Sequence, residues 1–135
     1  MRVAITGGRD FRNQARVDEV LDALHDATPF DILIHGDARG ADTLAADWAR
    51  RRQIPIDPYP AKWDDIDATN AVIRRHPNSV RGAGFYNAAA GTQNNIRMLM
   101  QAIPHLVVVF PGGRGTAHMR AQALRQGIAV MDVDI

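Results

Sequence analysis

A chain of 135 residues has room for one folded domain and too few residues for a second independent core. Apolar residues make up 46% of it, as in globular proteins, and the absence of cysteine excludes disulfides, thiolate nucleophiles and cysteine-bound zinc or iron–sulfur sites. The net charge of +1 argues against wholesale electrostatic binding to nucleic acid or to acidic membranes.

The first residues run directly into a short apolar strand pattern, without the basic stretch and long apolar run of a signal peptide. The longest apolar run, Leu106 to Phe110, is far too short to span a bilayer. Together with the absence of cysteine, these features predict a cytoplasmic protein with no membrane partner.

Strands and helices alternate along most of the chain. In chain order the predicted elements are a strand Arg2–Thr6, a helix from Asn13 or Gln14 to Ala27, a strand Asp31–His35, a helix Ala41–Arg52, strands Ile54–Tyr59 and Leu106–Phe110, a helix Thr116–Gln126 and a strand Ile128–Val133. The prolines in the third strand place it near an edge of the sheet, the β-branched run Leu106–Phe110 suits its interior, and Gly127 ends the last helix. The pattern predicts a single α/β domain over residues 1–135, with a Rossmann-like, open, mostly parallel sheet flanked by helices.

The stretch from Asp64 to Ala90 fits this alternation least well. It contains Pro77, Gly82, Gly84 and the charged run Arg74-Arg75-His76. We expect a partly helical excursion that either forms a lid over the site or is a mobile surface loop.

Three strands end in glycine-bearing turns that lead toward helices: Gly7-Gly8-Arg9-Asp10, Gly36-Asp37-Ala38-Arg39-Gly40-Ala41-Asp42 and Pro111-Gly112-Gly113-Arg114-Gly115-Thr116. In an open parallel sheet such turns meet at one edge, and each is expected to present unpaired amides of a helix N-terminus to a ligand. Each turn also holds an arginine, and Thr116 is expected to cap the last helix or to donate its hydroxyl to a phosphate. The turns lack the GxGxxG spacing of dinucleotide-binding proteins and the Lys-Ser/Thr of a P-loop, so neither class is favoured.

The segments GGRDF, HGDARGADTLAADWA, PAKW and PGGRGTAHM resemble the YspA-like, cpYpsA-related branch of the SLOG superfamily. Its relatives include the Lonely Guy phosphoribohydrolases, DprA-type DNA-processing proteins and ligand-sensing domains of antiphage systems. The resemblance implies a Rossmann-like fold and a site for nucleotides or ADP-ribose-like molecules at the glycine turns. It also implies a homodimer, because superfamily relatives often pair and complete the site across the interface.

Two positions depart from the family pattern. The phosphoribohydrolases end their last motif PGGxGTxxE with a glutamate that acts in glycosidic bond cleavage, and here that position is Met119, with His118 as the neighbouring polar group. In AAGxxRNxxML the expected Arg-Asn pair is Asn94-Asn95, so the asparagine is retained at Asn95 and the arginine is lost. Arg97, one helical turn from Asn94, is expected to compensate as a phosphate or ribose partner.

Two carboxylates at the predicted edge are candidates for catalysis, Asp42 and Asp10. Cleavage of an N-glycosidic bond needs an acid on the leaving base or a carboxylate that stabilises the oxocarbenium-like charge. The structural alternative for both is helix capping, and for Asp10 also a contact with a ribose hydroxyl. Trp63 is the candidate for base stacking, whereas Trp48 lies on the apolar stripe of its helix and is expected in the core.

The five histidines show no metal-binding spacing, so we expect no dedicated metal site and no required cofactor; a Mg²⁺ ion carried by a phosphorylated ligand is compatible with the sequence. The first functional hypothesis is a module that binds a phosphorylated small-molecule nucleotide without turnover. The second is an enzyme, an N-glycosidase acting on nucleoside 5′-monophosphates or NAD-related nucleotides. DNA binding is a third and weaker hypothesis, because the charge is near neutral and no basic strip is present.

Overall fold

The computed structural model describes residues 1–63, 65, 67, 69–75 and 85–134. Its elements are β1 (Arg2–Thr6), α1 (Gln14–Ala27), β2 (Ile32–His35), α2 (Ala41–Arg51), β3 (Ile56–Pro58), β4 (Ile73–Arg75), β5 (Phe85–Asn87), α3 (Ala90–Ala102), β6 (Leu106–Val109), α4 (Arg114–Arg125) and β7 (Ala129–Asp132). The five strands predicted from the sequence are all present, with ends that move by two residues at most.

Five parallel strands form the central sheet in the order β3-β2-β1-β6-β7. This confirms the Rossmann-like α/β fold. Strand β3 lies at an edge of the sheet, as predicted. The missing amide hydrogen of Pro58 therefore interrupts no hydrogen bonds between interior strands. Strand β6 lies between β1 and β7, as its β-branched sequence predicted.

Helices cover both faces of the sheet. Side chains alternate across each strand, so that Val3 and Ile5 pack with α1 and α2, while Ala4 between them packs with α3 and α4. Trp48 is fully buried in the core between the sheet and helices α1 and α2, as expected, and its indole nitrogen donates to Asp22 at 2.8 Å. A burial of this kind stabilises the fold without leaving the indole N–H unpaired.

The ends of two helices follow their sequence signals. Asn13 accepts a hydrogen bond from the amide of Arg16 and so caps the start of α1. Gly127 has a φ of 74°, and the amide of Ile128 donates to the carbonyl of Ala123 at 2.9 Å, which closes α4 as predicted.

The start of α4 and the whole of α3 differ from the prediction. Helix α4 begins at Arg114 with Gly113 at its N-cap, so Thr116 lies within the first turn and the prediction that it caps the helix is wrong. Helix α3 was not predicted as a separate element. It starts after Ala89 with no side-chain cap, and therefore without the residue types that mark helix starts in a sequence.

The predicted excursion, residues 64–90, contains the antiparallel pair β4 and β5 in its described part. That part is strand rather than helix until α3 begins. Residues 64, 66, 68 and 76–84 lie outside the described residues, and so do His76, Pro77, Gly82 and Gly84 of the lid prediction. Among the described helices, none is long and apolar enough to cross a bilayer.

The topology opens a crevice between β1 and β6. These strands are neighbours, yet α1 follows β1 on one face of the sheet and α4 follows β6 on the other. At such a reversal the connections leave in opposite directions, and ligands of open α/β sheets bind outside the strands' carboxyl ends there.

Candidate functional site

A cavity of about 730 Å³ lies at the carboxyl ends of β1, β2 and β6. Its lining comes from five segments, residues 6–9, 36–39 with 42, 60–61 with 63, 91 with 94–95, and 113–116. The three glycine turns therefore converge on one cavity, as the strand order requires. Its volume falls in the range of roughly 300–1,000 Å³ that small-molecule sites occupy.

The turn before α4 presents free backbone donors to this cavity. Within the described residues, the amides of Arg114, Gly115 and Thr116 have no hydrogen-bond acceptor, and no side chain caps the helix. A β carbon added at Gly113 or Gly115 would meet no atom within 4 Å, so both glycines face open space. The positive end of the helix dipole adds to the three donors, and an anion is favoured at this position.

Three amides in the turn between β2 and α2 are already paired within the protein. Asp42, only 7% exposed, accepts hydrogen bonds through Oδ2 from the amides of Gly36 at 3.0 Å and Ala38 at 3.3 Å. The amide of Asp37 donates to Nδ1 of His35 at 2.9 Å. The prediction of unpaired amides is therefore wrong for residues 36–38, whereas the helix-start amides of Asp42 and Thr43 have no acceptor among the described residues.

Burial raises the pKa of Asp42 from 3.8 to about 7. Loss of water disfavours the ionised carboxylate, and the hydrogen bonds from Ala38 and Gly36 oppose this effect without cancelling it. The negative charge of nearby Asp37 raises the pKa further. At neutral pH both the acid and the carboxylate of Asp42 are therefore populated at the wall of the cavity.

The turn after β1 serves to join the other two turns. The amide of Gly8 donates to the carbonyl of Pro111 at 2.8 Å, and the amide of Ala41 donates to the carbonyl of Gly8 at 3.1 Å. Gly40 has a φ of 81°, and a β carbon there would lie 2.2 Å from the Gly8 oxygen. Gly40 and Gly112, both predicted to bind the ligand, lie outside the cavity lining and allow the turns to pack closely.

Helix α1 starts at Gln14, as predicted, and is capped by Asn13. The β1 turn itself therefore presents no helix-start amides, contrary to the expectation for all three turns. Asp10 lies in this turn with its side chain 86% exposed, 3.5 Å from a guanidinium nitrogen of Arg39 and outside the cavity lining. The structure thus separates the two candidate carboxylates, and only Asp42 is at the cavity.

Three arginines and one tryptophan complete the polar and aromatic surface of the cavity. Arg9, Arg39 and Arg114 all line it, one from each glycine turn. The guanidinium carbon of Arg9 lies 5.3 Å from the ring centroid of Trp63, within the range of a cation–π contact. The ring also lies against Gly91 at the start of α3, where a β carbon would be 3.1 Å from it. The tryptophan predicted to stack on a base therefore lies at the cavity.

Helix α3 brings two asparagines to the cavity. Asn95 donates to the carbonyl of Gly115 at 3.1 Å and lies 3.2 Å from Nδ1 of His118, which links α3 to the first turn of α4. Arg97 lies outside the lining: it donates to Oδ1 of Asn94 at 2.6 Å and to the carbonyl of Pro60 at 3.0 Å. Arg97, which was expected to replace the family arginine at the ligand, instead holds the side chain of Asn94 and does not line the cavity itself.

Met119, at the position of the phosphoribohydrolase glutamate, is 1% exposed and belongs to the core formed with α3. It packs with Met98 and Leu99. A thioether in this environment offers neither an acid nor a base, so the family's catalytic carboxylate has no counterpart at this position.

Sequence reasoning missed part of the lining: residues 6, 37–38, 60–61, 91 and 94. Pro60 and Ala61 follow the carboxyl end of β3, and the rule used for the other strands would have found them. Gly91 and Asn94 had no such signal, because their place depends on α3. Within the described residues, no group of three or more His, Asp or Glu side chains is arranged to hold a metal ion.

The parallel sheet with helices on both faces and a cavity at its carboxyl edge defines the class, a Rossmann-like α/β protein. A family model described as the YspA, cpYpsA-related SLOG family matches residues 1–65. The Gene 61 protein of Mycobacterium phage D29 is 30% identical over 139 aligned positions, which cover 97% of this chain and 94% of the phage protein. The chain belongs to the YspA, cpYpsA-related SLOG family, as its motifs predicted.

A solved structure shares the fold. The DNA processing protein A (DprA) from Streptococcus pneumoniae superposes with a TM-score of 0.67 at 16% identity, over 99% of this chain. The chain corresponds to 50% of that protein's length. At this identity the likeness concerns the fold.

Proposed function

We propose that the cavity binds a phosphorylated, nucleotide-derived small molecule, of the nucleoside monophosphate or ADP-ribose type. The observation that carries this proposal is the row of free amides at Arg114, Gly115 and Thr116, which opens into the cavity lined by Arg9 and Arg39. Backbone amides at a helix start and arginine guanidinium groups are the donors that proteins use for phosphate.

The remaining lining suits the rest of a nucleotide. Trp63 offers an aromatic face for a base, and Arg9 already occupies a position over that ring. The arginines supply the positive charge that phosphate needs, so the proposal requires no cofactor. A Mg²⁺ ion that accompanies the phosphates is compatible with it.

Binding is tested by thermal unfolding and calorimetry with adenosine 5′-monophosphate (AMP), ADP-ribose and adenosine. The two phosphorylated compounds should stabilise the protein, by about 2.7 kcal/mol at one hundred times the dissociation constant. Adenosine should have little effect. Replacement Arg114→Ala should weaken AMP binding about tenfold or more, because a charge-assisted contact is lost.

The matched control is Arg125→Ala, which removes an arginine from the last turn of the same helix, remote from the cavity. It should leave AMP affinity unchanged. Equal stabilisation by adenosine and AMP, or no stabilisation by any of the three compounds, contradicts the proposal.

A second candidate function is hydrolysis of the N-glycosidic bond of such a ligand, and the state of Asp42 favours it. A carboxyl group with a pKa of about 7 at a cavity wall is suited to donate a proton to a leaving base. The buried Met119 argues against the mechanism of the phosphoribohydrolases. Release of free base from AMP or NAD that stops in Asp42→Ala, while the ligand still binds, would establish this candidate.

A further inference from the structure

The two oxygens of the Asp42 carboxyl group are used unequally. Oδ2 accepts from the amides of Gly36 and Ala38, whereas Oδ1 has no donor among the described residues. The side chain is 7% exposed and lines the cavity. Oδ1 is not sealed from solvent and opens to the water of the cavity. A ligand that displaces this water without bringing a donor leaves the oxygen unpaired, so a ligand that brings a donor to Oδ1 is favoured.

The cavity therefore has two ends of opposite hydrogen-bonding character. At α4 the free groups are donors, and an anion fits there. At Asp42 the amides of Gly36 and Ala38 are occupied, and in the ionised form the free oxygen is an acceptor that repels phosphate oxygens. Strand β1 separates β2 from β6, so the two ends are two strand spacings apart, roughly 10 Å.

A ligand that satisfies both ends must carry an anionic group and, at a distance from it, a hydrogen-bond donor. Inorganic phosphate does not span them. Asp42 follows β2, which lies between β3, which precedes Trp63, and β6, which precedes α4. A nucleotide with its base against Trp63 and its phosphate at α4 would therefore bring its sugar hydroxyl groups toward Asp42.

We propose that Asp42 is a specificity-determining residue that accepts a hydrogen bond from a ribose hydroxyl, so that the cavity selects ribonucleotides over 2′-deoxyribonucleotides. This inference rests on the proposed function, because it places the phosphate at α4.

The test compares calorimetric affinities for AMP, 2′-deoxy-AMP and inosine 5′-monophosphate. Above pH 7, where Asp42 is ionised, the wild-type protein should bind AMP about tenfold or more tightly than 2′-deoxy-AMP, because the deoxy ligand displaces water from Oδ1 without bringing a donor. Replacement Asp42→Asn should reduce this preference to about twofold or less. The asparagine oxygen still accepts from Gly36 and Ala38, while its amide group replaces the acceptor that faced the cavity.

The control variant Asp10→Asn alters an exposed carboxylate of the same edge and should keep the wild-type preference. If Asp42→Asn fails to fold, the wild-type comparison of AMP with 2′-deoxy-AMP and 3′-deoxy-AMP decides the question alone. Equal affinities for AMP and 2′-deoxy-AMP then overturn the proposal.

Other results overturn the inference in distinguishable ways. Equal binding of AMP and both deoxy compounds, with all three weakened by Arg114→Ala, refutes the role of Asp42 and leaves the proposed function standing. A preference of AMP over inosine monophosphate that disappears in Asp42→Asn, without a change toward the deoxy ligand, assigns the contact to the base instead. Absence of any phosphate-dependent binding refutes both proposals.

Discussion

Folding moves the side chain of Asp42 out of water, and burial raises its pKa from 3.8 to about 7. Between these two pH values the folded chain holds a proton that the unfolded chain has released. The free energy of unfolding therefore falls as the pH rises through this window. The contribution of the proton is complete below pH 3.8 and is lost above about pH 7.

The variant Asp42→Asn has no such proton to lose. As the pH rises from 4 to 8, the free energy of unfolding of the variant should increase relative to that of the wild type by about 4 kcal/mol. This is the free energy that corresponds to the rise in the pKa of Asp42. Denaturant titrations of both proteins at a series of pH values measure this difference, in which the other titrating groups cancel. Asp10→Asn should run parallel to the wild type, since its side chain is exposed. Parallel curves for Asp42→Asn would mean that the carboxyl group stays well solvated.

The sequence identified Asp42 as a residue of the edge but left its role open between capping and chemistry. Its observed contacts are not those of a cap on its own helix, and its chemical role stays a prediction. It lies in the first turn of α2, yet its carboxylate binds amides of the preceding turn instead of its own helix. Which side chain folds back onto which amide depends on tertiary packing, and no residue spacing along the chain encodes it.

At the level of elements, glycine is present for different physical reasons at two positions between β6 and the first turn of α4. A β carbon on Gly112 would lie 2.2 Å from Oγ1 of Thr116 and 2.7 Å from the amide nitrogen of Gly8. At Gly115, within α4, a β carbon would meet no atom within 4 Å. Protein packing thus requires glycine at Gly112 but not at Gly115, which faces the site proposed for the ligand.

This difference predicts opposite effects of two alanine substitutions. Gly112→Ala should lower the free energy of unfolding by about 1–3 kcal/mol, because the added methyl group overpacks the turn. Gly115→Ala should raise it by about 0.5–1 kcal/mol through higher helix propensity, and should weaken AMP binding by covering the free amides. Urea titrations and calorimetry separate the two quantities. An unchanged affinity for AMP in Gly115→Ala would show that phosphate does not approach this turn.

The sequence predicts some helices and strands more completely than others. The strands and the helices α1 and α2 were found from apolar periodicity and from the glycines that follow the strands. Helix α3 lacked a capping residue, and α4 begins two residues before Thr116 because Gly113 serves as its N-cap. The convergence of the three turns followed from the strand order alone. The availability of their amides did not, because Asp42 takes up those of Gly36 and Ala38 and the carbonyl of Pro111 takes up that of Gly8.

At the scale of the whole molecule, charge is distributed in pairs. Guanidinium groups of α2 bind carboxylates of α1, Arg51 to Asp18 and Arg52 to Asp22, each at 2.7 Å. Arg120 of α4 binds Asp132 at 2.8 Å. Within the described residues these pairs neutralise part of the surface charge, and the net charge of the chain is only +1. The homodimer implied by the family resemblance stays a prediction, since these contacts all lie within one chain.

The fold shared with a DNA-processing protein therefore does not extend, in our expectation, to DNA binding. Affinity for duplex or single-stranded DNA comes mainly from cations that displace counterions from phosphates, and here Arg51, Arg52 and Arg120 already face carboxylates. Fluorescence anisotropy with labelled DNA should show no saturable binding near physiological salt. The double variant Asp18→Asn/Asp22→Asn, which releases Arg51 and Arg52 while retaining acceptors of similar shape, should gain weak binding that falls as salt increases. Tight DNA binding by the wild-type protein, with a steep loss of affinity between 50 and 200 mM salt, would contradict this expectation, because it would require a row of free cations on the surface.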